Sequence, residues 1–189
     1  VIKVFLFIFW VGSLFAEPPE GRERLDSVLS KFRALESFRA TVTVNGTLTG
    51  VLSYKTPFQL HVRWNDGRII SANGKILWFY NPDTSVSGKQ DLKGSSGGLD
   101  GLLSGYENVS CQVRSCRLTS IDKKINEIFI LFSDNDMPRT IKMKRKDSDD
   151  ITEIAFSGIT TNLGLGAGLF NFQPPTTSQI VENPLNQKE

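Results

Sequence analysis

The segment Gly74-Lys75-Ile76-Leu77-Trp78-Phe79-Tyr80-Asn81-Pro82 constrains the fold more than any other part of the chain. It packs five large apolar side chains, Ile76 to Tyr80, between two turn signals, Asn73-Gly74 and Asn81-Pro82. A run this short, rich in aromatic and β-branched residues, predicts a strand between hairpin turns. Asn-Gly supplies the positive φ angles of a type I′ turn, and proline lacks the N–H that would extend the ladder. Side chains alternate along a strand, so Ile76, Trp78 and Tyr80 share one face and Leu77 and Phe79 the other. Both faces are apolar. Such a strand needs cover on both sides, or a core on one side and an apolar ligand on the other.

The flanking segments obey the same logic. Leu25, Val28, Leu29, Phe32 and Leu35 recur at helical spacing, with Arg24, Asp26, Lys31, Arg33 and Glu36 between them; this predicts one amphipathic helix over 21–37. The period then drops to two. Phe38, Ala40, Val42 and Val44 alternate with polar residues up to Asn45-Gly46, and Leu48, Gly50, Leu52 and Tyr54 do so up to Thr56-Pro57. Phe58, Leu60, Val62 and Trp64 follow, up to Asp66-Gly67, and residues 68–72 lead into the central run. A helix followed by a string of hairpins predicts a mainly β, α+β protein built on an antiparallel meander. Residues 85–98 are rich in Ser, Gly and Lys and predict a loop with at most one poor strand, after which Leu99, Leu102 and Leu103 make a short helical face. Strands resume at 109–113, 117–121, 127–132, 139–145 and 152–157. A Gly-rich passage then leads to Leu169-Phe170-Asn171-Phe172-Gln173-Pro174-Pro175 and a polar tail.

A chain of 189 residues with 22% charged and 39% hydrophobic residues suits one globular domain. Its net charge of +2, with no basic block on one helix, argues against nucleic acid as a partner. The charges between Lys142 and Asp150 predict a solvated hairpin tip. The first sixteen residues are different: Lys3, the apolar run Val4 to Val11, then the small residues of Gly12-Ser13-Leu14-Phe15-Ala16. Charge, apolar run and small residue in that order predict a secretory signal peptide over 1–16 and an exported domain over 17–189. The run is about half the length of a membrane-spanning helix. No cysteine follows the expected cut, so no lipid anchor is expected.

Other motifs carry little chemistry. Gly164-x-Gly166-x-Gly168 lacks the preceding strand and the downstream acid of a dinucleotide site. Asp134-Asn135-Asp136 offers oxygens suited to calcium, but the glycine and distal glutamate of an EF-hand are missing, and a turn is expected there. His61 is the single histidine, which excludes a His-based metal cluster. As a base it would stand mid-strand, with no serine or cysteine in evident register. The expectation is a protein with no catalytic residue, metal or cofactor. Cys111 and Cys116 are the only cysteines. On a straight strand their Cα atoms would lie about 16 Å apart, whereas a disulfide needs roughly 5.5 Å. They pair if residues 112–115 turn the chain between two strands, and in an exported protein a structural disulfide is expected.

Several of these pieces recur together: the opening helix, Phe38-Arg39-Ala40-Thr41, Tyr54-Lys55-x-Pro57, Gly74-Lys75-x-Leu77-Trp78-Phe79-Tyr80-Asn81-Pro82 and Phe170-x-Phe172-x-Pro174-Pro175. In this order they resemble the periplasmic outer-membrane lipoprotein carrier family, LolA, over essentially the whole exported chain. The resemblance implies a strongly curved, unclosed antiparallel barrel with helices over its mouth. Its concave face would hold the acyl chains of a lipoprotein passing from inner to outer membrane. It also implies a monomer whose partners are acylated lipoproteins, the inner-membrane release complex and an outer-membrane acceptor. The first helix and the Leu99–Leu103 segment would be lids rather than core. Residues expected to touch lipid are Val42, Val44, Leu52, Phe58, Leu60, Val62, Trp64, Trp78 and Tyr80, with Leu99, Leu102 and Leu103 from the lid. Leu77 and Phe79 replace Trp78 and Tyr80 if the other face is concave. The family's arginine before the proline, which bonds lid backbone, is here Thr56, with Lys55 one residue earlier as the candidate lid contact. Lysine lacks the planar fork of arginine. The family's aromatic three residues after the proline, implicated in partner docking, is Leu60. A related half-barrel that binds another lipid, or outer-membrane protein peptides as a sensor, fits the same residues.

Overall fold

The computed structural model describes residues 20–92 and 102–186; the expected signal peptide and Leu99 lie outside them. One helix, α1 (Glu20–Arg33), precedes twelve strands. They are β1 (Ser37–Val44), β2 (Leu48–Lys55), β3 (Gln59–Trp64), β4 (Ile69–Asn73), β5 (Ile76–Asn81) and β6 (Val86–Asp91). There follow β7 (Asn108–Gln112), β8 (Ser115–Thr119), β9 (Ile125–Phe132), β10 (Pro138–Arg145), β11 (Ile151–Thr161) and β12 (Gln179–Glu182). All twelve form one sheet in the order β12-β6-β5-β4-β3-β2-β1-β11-β10-β9-β8-β7. Every pairing is antiparallel except β12 on β6. The sheet ends at β12 and β7, so it is an open half-barrel.

Hairpin register carries one apolar face across the whole sheet. Val42, Gly50 and Trp64 stand in one row, and Tyr54, Leu60, Ala72 and Leu77 in another. On the far side, Phe156 pairs Val42, Ile154 pairs Ile141, and Ile141 pairs Ile130, which pairs Cys116. This is the concave face.

The helix fills one half of it. Leu25, Val28 and Leu29 pack with Leu103, Tyr106, Cys116, Leu118, Ile128, Ile130, Phe132 and Ile141 into a continuous buried core. The helix can lie this low because Gly21 has no Cβ; one would stand 2.4 Å from the Val109 carbonyl oxygen. Asp136, in the β9–β10 turn, pairs with both Arg24 and Lys31 and pins the helix at that end. These two cations hold the Asp136 carboxyl at about 2, below its ordinary 3.8. The turn expected at Asp134 to Asp136 is therefore the anchor of α1. The helix stops at Arg33, short of residue 37, because Ser37 already belongs to the sheet and donates its hydroxyl to the Leu163 carbonyl at 2.6 Å.

Two strands depart from the expected meander. Residues 86–91, Val-Ser-Gly-Lys-Gln-Asp, form a full strand rather than loop, held by β5 on one side and β12 on the other. The expected polar tail supplies β12, which runs parallel to β6 because residues 162–178 carry the chain across the outer face first. Cys111 and Cys116 sit directly opposite each other on β7 and β8, with Cα atoms 4.1 Å apart, and form a disulfide across a tight hairpin. At the β10–β11 tip, Lys142–Glu153, Lys144–Asp149 and Arg145–Asp147 pair in solvent.

Candidate functional site: an apolar cavity on the concave face

Among the described residues no helix is pressed into the half of the concave face formed by β1 to β5. There the walls enclose a cavity of about 390 Å³. Phe38 of β1, Leu52 and Tyr54 of β2, Leu60 of β3, Ala72 of β4 and Leu77 of β5 form its floor. Ile141 and Pro138 of β10, with Phe156 of β11, close one side. Phe32 from the last turn of α1 and Leu102 from the following segment form its roof, while Leu92 and Phe58 stand at its edges. Among the described residues no charged side chain lines it. Under α1, by contrast, Leu25, Val28, Leu29 and Ile130 leave about 10 Å³, space for one water at most.

Phe58 is the one lining residue whose backbone is strained. It has φ 57°, a left-handed conformation costly for an aromatic residue, and its ring is 46% exposed. It follows a cis Thr56-Pro57 bond. The turn therefore holds a large apolar ring at the cavity's margin and leaves it half wet.

The structure divides the residues singled out from the sequence. Leu52, Phe58, Leu60 and Leu102 meet in the cavity. Val42 and Val62 lie on the same face but are buried in its floor, and Leu103 is buried in the core under α1. Trp64 lies further along the concave face, over Gly50, where a Cβ would come within 2.7 Å of the indole. Val44 ends the same row of β1, next to Ile154. Leu60, the candidate partner contact, points into the cavity rather than out to a docking partner.

Trp78 and Tyr80 do not reach the concave face. The register Ser71 to Trp78 and Ala72 to Leu77 puts Leu77 inside and Trp78 outside. On the outer face the C-terminal strap, residues 162–178, covers them: Phe172 lies 6.3 Å from Trp78 and 5.7 Å from Tyr80, ring centre to ring centre. The buried Phe170 and the short 3-10 helix Ala167–Phe170 continue this cover, and Ser71 donates to the Phe170 carbonyl at 3.2 Å. Both faces of β5 are thus satisfied, one by a strap and one by a cavity. Lys55 likewise serves the strap and not a lid, since its ammonium donates to the Leu165 carbonyl at 2.9 Å. The helix α1 departs from the lid role, because its stripe is core and Phe32 alone reaches the cavity. Sequence reasoning missed Phe32, Phe38, Tyr54, Ala72, Leu92, Pro138, Ile141 and Phe156. The alternation of β1, β2 and β4 already carried Phe38, Tyr54 and Ala72.

His61 sits on the outer face with Ser53 and Ser71 directly opposite on the two neighbouring strands, a register not evident in the sequence. Both hydroxyls are buried and engaged: Ser53 accepts from the Arg39 guanidinium at 3.2 Å and Ser71 donates to Phe170. Burial, with the nearby charge of Arg63, pushes the His61 pKa down. Among the described residues no group of three or more His, Cys, Asp and Glu is placed to hold a metal ion. No described helix is long and apolar enough to cross a membrane.

An open half-barrel with an uncharged concave cavity defines the fold and the site. No family model matches the chain, and no curated protein matches it in sequence. Among solved structures, the fold is shared with an uncharacterized conserved protein from Thermus thermophilus at 14% identity and a TM-score of 0.59, covering 85% of this chain and 98% of that one. A LolA superfamily protein from Nitrosomonas europaea is similar at 13% identity and a TM-score of 0.43, covering 78% and 97%. An outer membrane lipoprotein-sorting protein domain from Vibrio parahaemolyticus is similar at 12% identity and a TM-score of 0.46, covering 80% and 96%.

Proposed function

We propose that this protein is a periplasmic carrier that buries acyl chains of lipoproteins in the concave cavity and ferries them from the inner to the outer membrane. The observation that supports this reading is the cavity itself, about 390 Å³ with no charged residue among the described residues of its lining. Hollows of this size fall in the range used for small-molecule and lipid ligands. Each buried methylene gains about 0.8 kcal/mol, so acyl chains do not cross water unshielded. A carrier has to bury them without holding them irreversibly. A cavity that Phe32 and Leu102 roof, with Phe58 half wet at its edge, combines burial with access. In this reading the chain performs no chemistry of its own. It acts as a monomer between a release complex in the inner membrane and an acceptor in the outer one.

Native mass spectrometry tests it, with the protein mixed with an acylated lipoprotein in detergent or with the same lipoprotein lacking its lipid. A one-to-one complex with the lipidated form only is expected. Equal binding of both forms would transfer the site to a peptide-recognising module, and binding of neither would end the carrier reading.

A further inference from the structure

The concave face holds a second hollow. At the opposite ends of β3 to β6, Trp64, Ile70, Phe79, Val86 and Gly88, together with the polar Arg68, Asn81 and Thr84, border a space of about 380 Å³. Trp64, Ile70, Phe79 and Gly88 share the alternation of Leu60, Ala72 and Leu77, the floor of the cavity. In register, Val62 pairs Ile70, Ile70 pairs Phe79, and Phe79 pairs Gly88. Both hollows therefore open on one side of the sheet, with Val62, Ile70 and Phe79 as an apolar floor between them. Leu60 and Trp64 are four residues apart on β3, which is about 13 Å along a strand. Gly50 leaves the room in which the Trp64 indole lies across β2.

We propose that the concave face takes two acyl chains end to end, one in the cavity and one in the Trp64 hollow, so that the ligand is a two-chain acyl group. This inference rests on the acyl-carrier reading above and gives it a chain count. In a protein interior a cavity of about 150 Å³ accommodates the six carbons of benzene. By that scale hollows of about 390 and 380 Å³ each take roughly fifteen carbons, one fatty chain apiece and not two. The group that joins the two chains stays on the open side of the trough, in contact with water.

The test uses dodecanoic acid as a single-chain probe and its 12-bromo derivative as a contact quencher. The variant carries Trp10→Phe and Trp78→Phe, which leaves Trp64 as the one tryptophan of the three. Native mass spectrometry is expected to show two dodecanoates per protein, and the brominated acid is expected to quench more than half of the Trp64 emission. Val86→Phe, which narrows the second hollow, is expected to lower the count from two to one and remove the quenching. An unchanged circular dichroism melt shows that this variant is folded. One bound dodecanoate with Trp64 unquenched would overturn the two-chain proposal and leave the carrier reading standing. No bound dodecanoate would overturn both.

Discussion

The two halves of the concave face are built from the same material and end differently. Under α1, Leu118, Ile128 and Ile130 meet Leu25, Val28 and Leu29, and the space left is about 10 Å³. Across β1 to β5, Phe38, Leu52, Leu60 and Leu77 are just as apolar, and the space left is about 390 Å³. The walls do not differ; the cover does. A helix about 10–12 Å across spans little more than two strands at about 4.8 Å spacing, and this sheet has twelve among the described residues. Among the described residues, α1 and the segment after residue 101 cover part of it and Pro184 lies against Gly88 at its far end, while the rest of the apolar face is left open. Among the described residues the cavity is therefore a shortfall of cover, and that is why it suits the apolar ligand proposed above.

That contrast predicts how the halves respond to the same change. Ile130→Ala, in the filled half, should cost about 2–5 kcal/mol, because the lost transfer energy is joined by a new void in a closely packed region. Urea unfolding measures this, and a loss under 1 kcal/mol would mean that the helix is not packed as described. Asp136→Asn should cost about 1–2 kcal/mol by releasing Arg24 and Lys31 from the end of α1. The pH dependence has a definite sign. The carboxyl titrates at about 2 when folded against 3.8 otherwise, so its stabilisation is complete above the ordinary value and disappears as pH falls through the folded one. Acid titration of the Asn variant should lack that step. Leu60→Ala, in the open half, should cost less than about 1 kcal/mol, since its side chain faces empty space, yet weaken dodecanoate binding several-fold in calorimetry. A stability loss as large as that of Ile130→Ala would erase the distinction between the halves. Smallest is Phe58→Gly, which relieves a left-handed phenylalanine and should raise stability by about 0.5–1 kcal/mol while weakening ligand binding. If binding is unchanged, the exposed ring has no part in the site.

The hairpins could be read in the sequence because each turn has its own chemistry and each strand its alternation; Asn45-Gly46 and Asp66-Gly67 fall between strands as expected, whereas Asn73 ends β4 and Gly74 alone of its pair has a positive φ, so the turn there is Gly74-Lys75 and not the expected type I′ Asn-Gly. The inside of β5 could not. Trp78 and Tyr80 are larger and more aromatic than Leu77 and Phe79, and size alone favours them for an interior. What places them outside is a segment some ninety residues later, whose Phe172 packs on them. The helix showed the complementary difficulty: its stripe from Leu25 to Phe32 was evident, but whether that stripe lies on a core or over a cavity depends on the β7–β10 strands beneath it. β6 was hidden because Ser, Gly, Lys and Gln carry no alternation, and its strand character comes from the neighbours on either side. Local signals define elements; which face is covered is decided by distant partners.

The pairing of β12 with β6 also bears on how such a molecule comes into being. A polypeptide leaves the ribosome, or threads through an export channel, from its N-terminus first. Val86 meets its partner Gln179 only after the intervening β7 to β11 have emerged. Until then β6 presents a bare row of backbone donors and acceptors, and the indole of Trp78 stands in water. Unpaired strand edges beside exposed aromatic surface invite other chains to add on. The newborn chain thus carries a bare edge on β6 and an uncovered aromatic face on β5 until its last strand is delivered.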